Sequence, residues 1–311
     1  MSVAELQKLA SRSSRPRFRS PAPDNKAALV FLAPWVLGVV ALTLIPMVAS
    51  LYLAFTDYNL LQDPNWVGLA NFERMISDTR LHKSLVVTLL YVAIGVPGQL
   101  VVALVLALVL DKGLRGRALY RSAFYLPSLL GASVAIAVLW RLVFGAQGLM
   151  NSFLGVIGIE STTSWIGSPD TSLMTIILLH IWTFGAPMVI FLAGLRQIPV
   201  ELYEAAATDG ATVLQRFRMI TLPLLTPIIF FNLVLAVINA FSSFTQAFIV
   251  SGGSGGPADS LLFYTLYLYQ EGFQAFRMGY ASALAWLLVL IIGIATIINF
   301  RLSKYWVHYD N

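Results

Sequence analysis

Six stretches of the chain, 27–55, 84–110, 122–140, 171–195, 219–250 and 278–300, contain no Asp, Glu, Lys or Arg and are continuously apolar rather than alternating. About 20 such residues cross the hydrocarbon core of a bilayer as a helix. Lipid offers the backbone no hydrogen-bond partner, so a span is either a helix or a strand of a closed barrel. Barrel strands alternate apolar and polar positions, and these runs do not. The pattern predicts an all-α, polytopic membrane protein with six transmembrane helices filling residues 27–311, after a basic tail at 1–26. The connection at 56–83 carries Trp66 and Phe72, which suit the membrane interface. The connection at 145–170 is rich in Gly, Ser and Thr. "SGGSGGPADS" reads as a flexible hinge. The aromatic "LLFYTLYLYQEGFQAFRMGY" after it reads as helical, too interrupted to span, and packed on the outer face.

Composition supports a membrane class. Hydrophobic residues make up 58% of the chain and charged ones 11%, against about 25% charged in soluble domains. There is no cysteine, which removes disulfides, thiolate catalysis and cysteine metal sites. The position of the charges decides more than the net of +5. Fifteen of the 20 Lys and Arg residues lie in the tail, in the second-to-third and fourth-to-fifth connections, or after the last span. The other connections hold Arg74, Arg80, Lys83 and Arg277, with Arg141 at their rim. By the positive-inside rule both termini are cytoplasmic. The tail, rich in Ser, Arg and Pro, reads as a disordered segment drawn to anionic lipid.

Candidate chemistry is sparse. No phosphate-binding G-x-x-x-x-G-K-S/T loop is present. His82, His180 and His308 are far apart, and only His180 falls in a span, where a hydrogen bond between helices is the simplest role. The spans contain no carboxylate, which a proton-coupled carrier generally needs. These features point to a transport subunit rather than an enzyme, with no metal, cofactor or nucleic acid of its own and with energy supplied from outside the chain. The fifth span carries an uncharged polar stripe, Asn232, Asn239, Ser243 and Gln246, which share one helical face with Ser242 and Thr245 beside them. Such groups suit a polyhydroxylated neutral ligand; they also suit contacts between helices. Trp182 and Phe184 in the fourth span offer an aromatic platform for a sugar face.

The polar stretch "EAAATDGATVLQRFRMITLP" has helix signals of its own. Pro199 starts a helix, Glu201 and Glu204 favour its positive end, Ala205 to Ala207 propagate it, and Gly210 ends it. A second short helix follows to Pro223. The pair at 199–221 presents a small, flat surface, with Tyr203 and Glu204 projecting, that suits docking to another protein.

This stretch resembles the signature loop of permease subunits of binding-protein-dependent ABC importers: E-A-A, three residues, G, nine residues, I, one residue, L-P. Glu204, Ala205, Ala206, Gly210, Ile220, Leu222 and Pro223 match it. The stretches "FLAPWVLGVVALTLIPMVASLYLAFTDY", "WVGLANFERMI", "YRSAFYLPSLLGASVAIAVLWRLVF", "GLRQIPVELYEAAATDGA" and "MGYASALAW" are similar to the sugar-importing branch, of the maltose and glycerol-3-phosphate permease type and the first of its two permeases. The resemblance implies a second, homologous permease, a cytoplasmic ABC ATPase dimer that holds ATP and magnesium, and an extracytoplasmic solute-binding protein. It implies a multi-pass location in a bacterial or archaeal plasma membrane and import of a sugar or sugar derivative. Coupling residues would be Tyr203, Glu204, Ala205, Ala206, Asp209 and Gly210. Substrate contacts in the maltose branch lie on the helices before and after the loop. Carried over, they fall at 182–187 and 239–246, where a paired-asparagine motif is replaced by Ser242 and Ser243. The alternatives are a permease of this type for glycerol-3-phosphate or another small polar solute, or an ion-coupled carrier.

Overall fold

The computed structural model describes residues 25–112, 117–131 and 133–308. The basic tail up to residue 24, and with it Lys8, Arg12, Arg15, Arg17 and Arg19, lies outside the described residues, as does Arg115. The described residues are helical with irregular links and hold one isolated β-bridge, between Thr56 and Trp66. Five helices are long and apolar enough to cross a membrane, or six if a bent pair is one span.

The chain divides after Ser50 into two units. The first contains α1 (Asn25–Val39), a π-helical turn at Val40–Leu44 and most of α2 (Ile45–Leu53). From Val30 onward its side chains are apolar except at Thr43 and Ser50, the pattern of a membrane span.

In the second unit, α3 (Ala70–Ser77) leads into α4 (Thr79–Asp111), the longest helix. Asp78 caps α4 by accepting from the backbone N–H of Arg80 and Leu81. α4 is the hub: α8 (Ser172–Trp182), α9 (Gly185–Leu195) and α12 (Leu222–Phe241) pack on it. Small residues allow the approach. A Cβ at Gly98 would come within 2.7 Å of Ile181, and one at Gly95 within 3.0 Å of His180.

Three apolar stretches expected as single helices are broken. The stretch 122–140 is α5 (Arg117–Leu130) and α6 (Val134–Phe144), with Gly131 to Ser133 between them; α7 (Leu149–Val156) follows. The stretch 171–195 is α8 and α9, bent by 40° at Thr183 and Phe184. The stretch 219–250 runs from a π-helical turn at Phe217–Thr221 through α12 and breaks at Ser242 to Phe244 before α13 (Thr245–Ser251). Each break frees backbone groups, and neighbouring side chains satisfy them, which is the condition for irregular backbone at membrane depth. Gln99 Nε2 donates to the Thr183 carbonyl (3.0 Å) and to its hydroxyl (2.9 Å). Ser128 Oγ donates to the same carbonyl (2.8 Å) and accepts from Ala186 N (2.9 Å). Gln246 Nε2 donates to Gly131 O (3.2 Å), and Thr265 Oγ1 donates to Ser243 O.

One connection differs from expectation. "SGGSGGPADS" is a closed turn, not a hinge: Gly253 N donates to Phe248 O (2.7 Å), Leu261 N to Gly255 O (2.8 Å), and Gln270 Nε2 to Gly253 O (2.8 Å). The aromatic stretch, α14 (Tyr264–Tyr269) and its π-helical continuation Gln270–Gln274, is buried in its first half and exposed at Phe273 and Gln274. Phe263, Tyr264 and Tyr267 are among the most buried side chains. Alternation of aromatic and polar residues concealed a segment that the tyrosine hydroxyls let into the core: Tyr264 donates to Leu284 O (2.7 Å), and its N–H to Thr88 Oγ1 (2.9 Å).

The α14 segment is tied to α3, and the turn before it to the start of α4, by charge. Arg74 (3.1 Å) and Arg277 (2.8 Å) share Glu271, while Arg80 makes a two-pronged pair with Asp259. Tyr267 and Tyr280, from the last helix α15 (Met278–Trp306), both donate to Asp78 Oδ2. Burial alone would raise the Asp78 carboxyl. The hydrogen bonds from Tyr267, Tyr280 and Leu81 N–H, with the Arg74 charge, outweigh it and hold the group below its ordinary value. Burial, then the bond to Asp78, push the Tyr267 phenol above its own.

Candidate functional site: a cavity at the helix breaks and an exposed loop

The breaks converge on a cavity of about 440 Å3, within the ~300–1,000 Å3 of small-molecule sites. From the polar stripe, Asn232, Asn239, Ser242, Ser243 and Gln246 all line it. Their free capacity differs. Asn232 is buried and turns its amide back to Ile228 O (3.1 Å). Ser243 donates to Gln246 (3.3 Å), which is itself spent on Gly131. Asn239 and Ser242 are exposed to the cavity, and their side chains have no hydrogen-bond partner among the described residues.

Trp182 and Phe184 are not in the cavity wall, contrary to the aromatic-platform expectation. Trp182 packs on Trp140 (6.2 Å between centroids) and Phe184 on Phe124 (6.3 Å). Pro187, from the same segment, does line it.

Sequence reasoning missed Tyr91, Gln99, Ser128, His180 and Thr183, which complete the polar wall. Gln99 carries a signal, being an amide in an apolar run. The others gain meaning only from the helix approach. His180 was expected to bridge helices, yet its ring makes no hydrogen bond among the described residues. No Asp, Glu, Lys or Arg lines the cavity among the described residues. A second hollow shares Ala186 and Ile190 with it and reaches Arg121 and Tyr125 on α5.

The second feature is the loop between α9 and α12. It contains α10 (Val200–Thr208) and the one-turn α11 (Val213–Arg216). Gly210 takes φ +78° after α10, and Thr212 with Gln215 forms a reciprocal capping box on α11. Glu204, Ala205, Asp209 and Gly210 are exposed and Ala206 is half-buried. Tyr203 does not project as expected. It folds inward, packs against the core, and its hydroxyl shares a 2.9 Å hydrogen bond with Thr221. Val213 and Leu214 are exposed by 69% and 57%.

Comparison with known proteins gives the family. Residues 80–306 match the family described as "binding-protein-dependent transport system inner membrane component". The chain is 50% identical to the probable ABC transporter permease protein YesP of Bacillus subtilis, over 94% of this chain and 95% of that one. It is 32% identical to the arabinooligosaccharides transport system permease protein AraP of the same organism, over 90% of each chain. It is 31% identical to the multiple sugar-binding transport system permease protein MsmF of Streptococcus mutans, over 88% and 93%. Among solved structures, a bacterial alginate ABC transporter in complex with an alginate pentasaccharide-bound periplasmic protein superposes with a TM-score of 0.76. Its identity is 21%, over 90% of this chain and 95% of that one, and it shares the fold. The match over residues 80–306 and the 50% identical relative place the chain in the family of binding-protein-dependent transport system inner membrane components.

Proposed function

We propose that the chain is the membrane-spanning permease subunit of an ATP-driven importer for a sugar or sugar derivative. The observation that carries the substrate class is the cavity wall: hydroxyls, amides and an imidazole without a charged side chain. Ring hydroxyls need paired donors and acceptors, whereas a phosphate wants Arg or Lys. The wall therefore favours a neutral sugar over glycerol-3-phosphate, and its lack of carboxylates disfavours an ion-coupled carrier. The names of AraP and MsmF point the same way.

The distribution of Lys and Arg puts both termini and the 199–221 loop in the cytoplasm. There the exposed face bearing Glu204, Ala205, Asp209 and Gly210 docks on a separate ATPase dimer. Closure of that dimer moves α10 and α11, which move α12 through the Tyr203–Thr221 bond. A second permease completes the pathway, and an extracytoplasmic binding protein delivers the solute at the other face. In a bacterial strain lacking this gene, uptake of labelled maltose, trehalose, arabinotriose and glycerol-3-phosphate separates the readings. One of the sugars should require the gene. Dependence of glycerol-3-phosphate alone would refute the substrate class.

A further inference from the structure

The base of α12 is loosened by its own sequence. A π-helical turn at Phe217–Thr221 precedes it, and Pro223 and Pro227 fall near its start. Pro227 has no N–H to give to the Pro223 carbonyl. The Thr226 hydroxyl takes that place, donating to Pro223 O (2.6 Å). The same hydroxyl accepts from the backbone N–H of His308 (2.9 Å), just past the end of α15 and 82 positions away in the chain. Further along α12, the buried Phe230 ring meets Phe300 edge-on (5.0 Å between centroids) and Trp306 at 6.2 Å. Between those two aromatics Ser303 is buried, while Arg301, Leu302, Lys304 and Tyr305 are exposed. The end of α15 therefore lies along the base of α12. α9 presses on the same turn: a Cβ at Gly194 would come within 2.0 Å of Ile228 and 3.1 Å of Leu225. Thr221, which receives α10 through Tyr203, and Thr226, which receives the segment after α15, flank Pro223.

We infer that the segment from Phe300 to His308 pins this hinge, and that Thr226 and Trp306 are positioning residues for coupling. This rests on the importer reading above. A helix with two prolines and a π-helical turn at its base bends easily. Left free, it would absorb a shift of α10 by bending at Pro223 and Pro227. Fixed to α15, it passes the shift on to both helices, because packed, rigid elements carry coupling. The other end of α15 is held as closely. Gly279 N donates to Tyr58 O (2.9 Å), and a Cβ at Gly279 would come within 2.0 Å of Thr56 O. Motion delivered at Thr226 thus reaches the connection at 56–83.

The test uses the whole transporter, this chain with its partner permease, ATPase dimer and binding protein, in proteoliposomes with ATP enclosed. Labelled maltose, trehalose and arabinotriose are offered, and the sugar that wild type imports is read as uptake per ATP hydrolysed. Thr226→Val removes both hydroxyl bonds at nearly constant shape and should lower that ratio about fivefold while hydrolysis continues. Thr226→Ser keeps the hydroxyl and should stay within about twofold of wild type. Trp306→Ala should also lower the ratio about fivefold, and Trp306→Phe, which keeps a ring against Phe230, should stay within about twofold. If Trp306→Ala does not assemble, the threonine pair decides. An unchanged ratio in Thr226→Val or Trp306→Ala, or equal loss in Thr226→Val and Thr226→Ser, overturns the pin and leaves the importer reading intact. Fewer assembled transporters with wild-type uptake per ATP would mark a purely structural contact and overturn it as well. No ATP-dependent uptake of any of the three sugars by wild type overturns both.

Discussion

Gly210 holds φ at +78° between α10 and α11. Proline is fixed near about −65°, so Gly210→Pro must redirect α11. The variant should insert and assemble with its partners yet fail to turn ATP hydrolysis into uptake. Normal uptake per ATP hydrolysed would detach this turn from coupling. Tyr203→Phe should cost about 1 kcal/mol through loss of the bond to Thr221, read as a lower unfolding midpoint in detergent. An unchanged midpoint would mean that the bond is idle. The two residues also mark what a sequence discloses. The E-A-A and Gly210 pattern is local, so it was legible. The inward turn of Tyr203 depends on Thr221, 18 residues further on, and no local pattern encodes it.

At the scale of elements, the broken helices separate a hydropathy reading from the fold. Runs such as 171–195 are uncharged, and neither Thr183 nor Ser243 breaks a helix by propensity, although Pro187 lacks the N–H that would have bonded the Thr183 carbonyl. The breaks persist because Gln99, Ser128, Gln246 and Thr265 arrive from other helices to satisfy the freed carbonyls. Gln99→Leu should therefore destabilise the protein by about 1–3 kcal/mol, and a neutral result in thermal unfolding would contradict the assignment. The Asp78 cluster gives a pH dependence. Its carboxyl is held below 3.8 in the fold, so the unfolded chain takes up the proton first. The contribution is complete above the ordinary carboxylate value and is lost as pH falls through it toward the folded one. The unfolding midpoint should drop as the solution is acidified below about pH 4, and Asp78→Asn should remove part of that drop. Parallel acid profiles for the two proteins would exclude the cluster as a contributor.

For the whole molecule, the all-helical membrane class, the polar stripe and the signature loop were readable from the chain, because each follows from periodicity or local motif. The cavity was half readable. The stripe supplied Asn239 and Ser242, but Tyr91 and His180 join it only where α4 and α8 approach through Gly95. Trp182 and Phe184 are absent from its wall and pack on Trp140 and Phe124 instead. The central claim is that this chain moves a solute only when another protein's ATP cycle acts on the 199–221 loop. Sugar uptake into proteoliposomes measures this directly, comparing the assembled transporter with enclosed ATP, the same assembly carrying Glu204→Lys, and the chain alone under a proton or sodium gradient. The account predicts uptake in the first case and none in the other two; gradient-driven uptake by the chain alone, or undiminished ATP-driven uptake with Glu204→Lys, would contradict it.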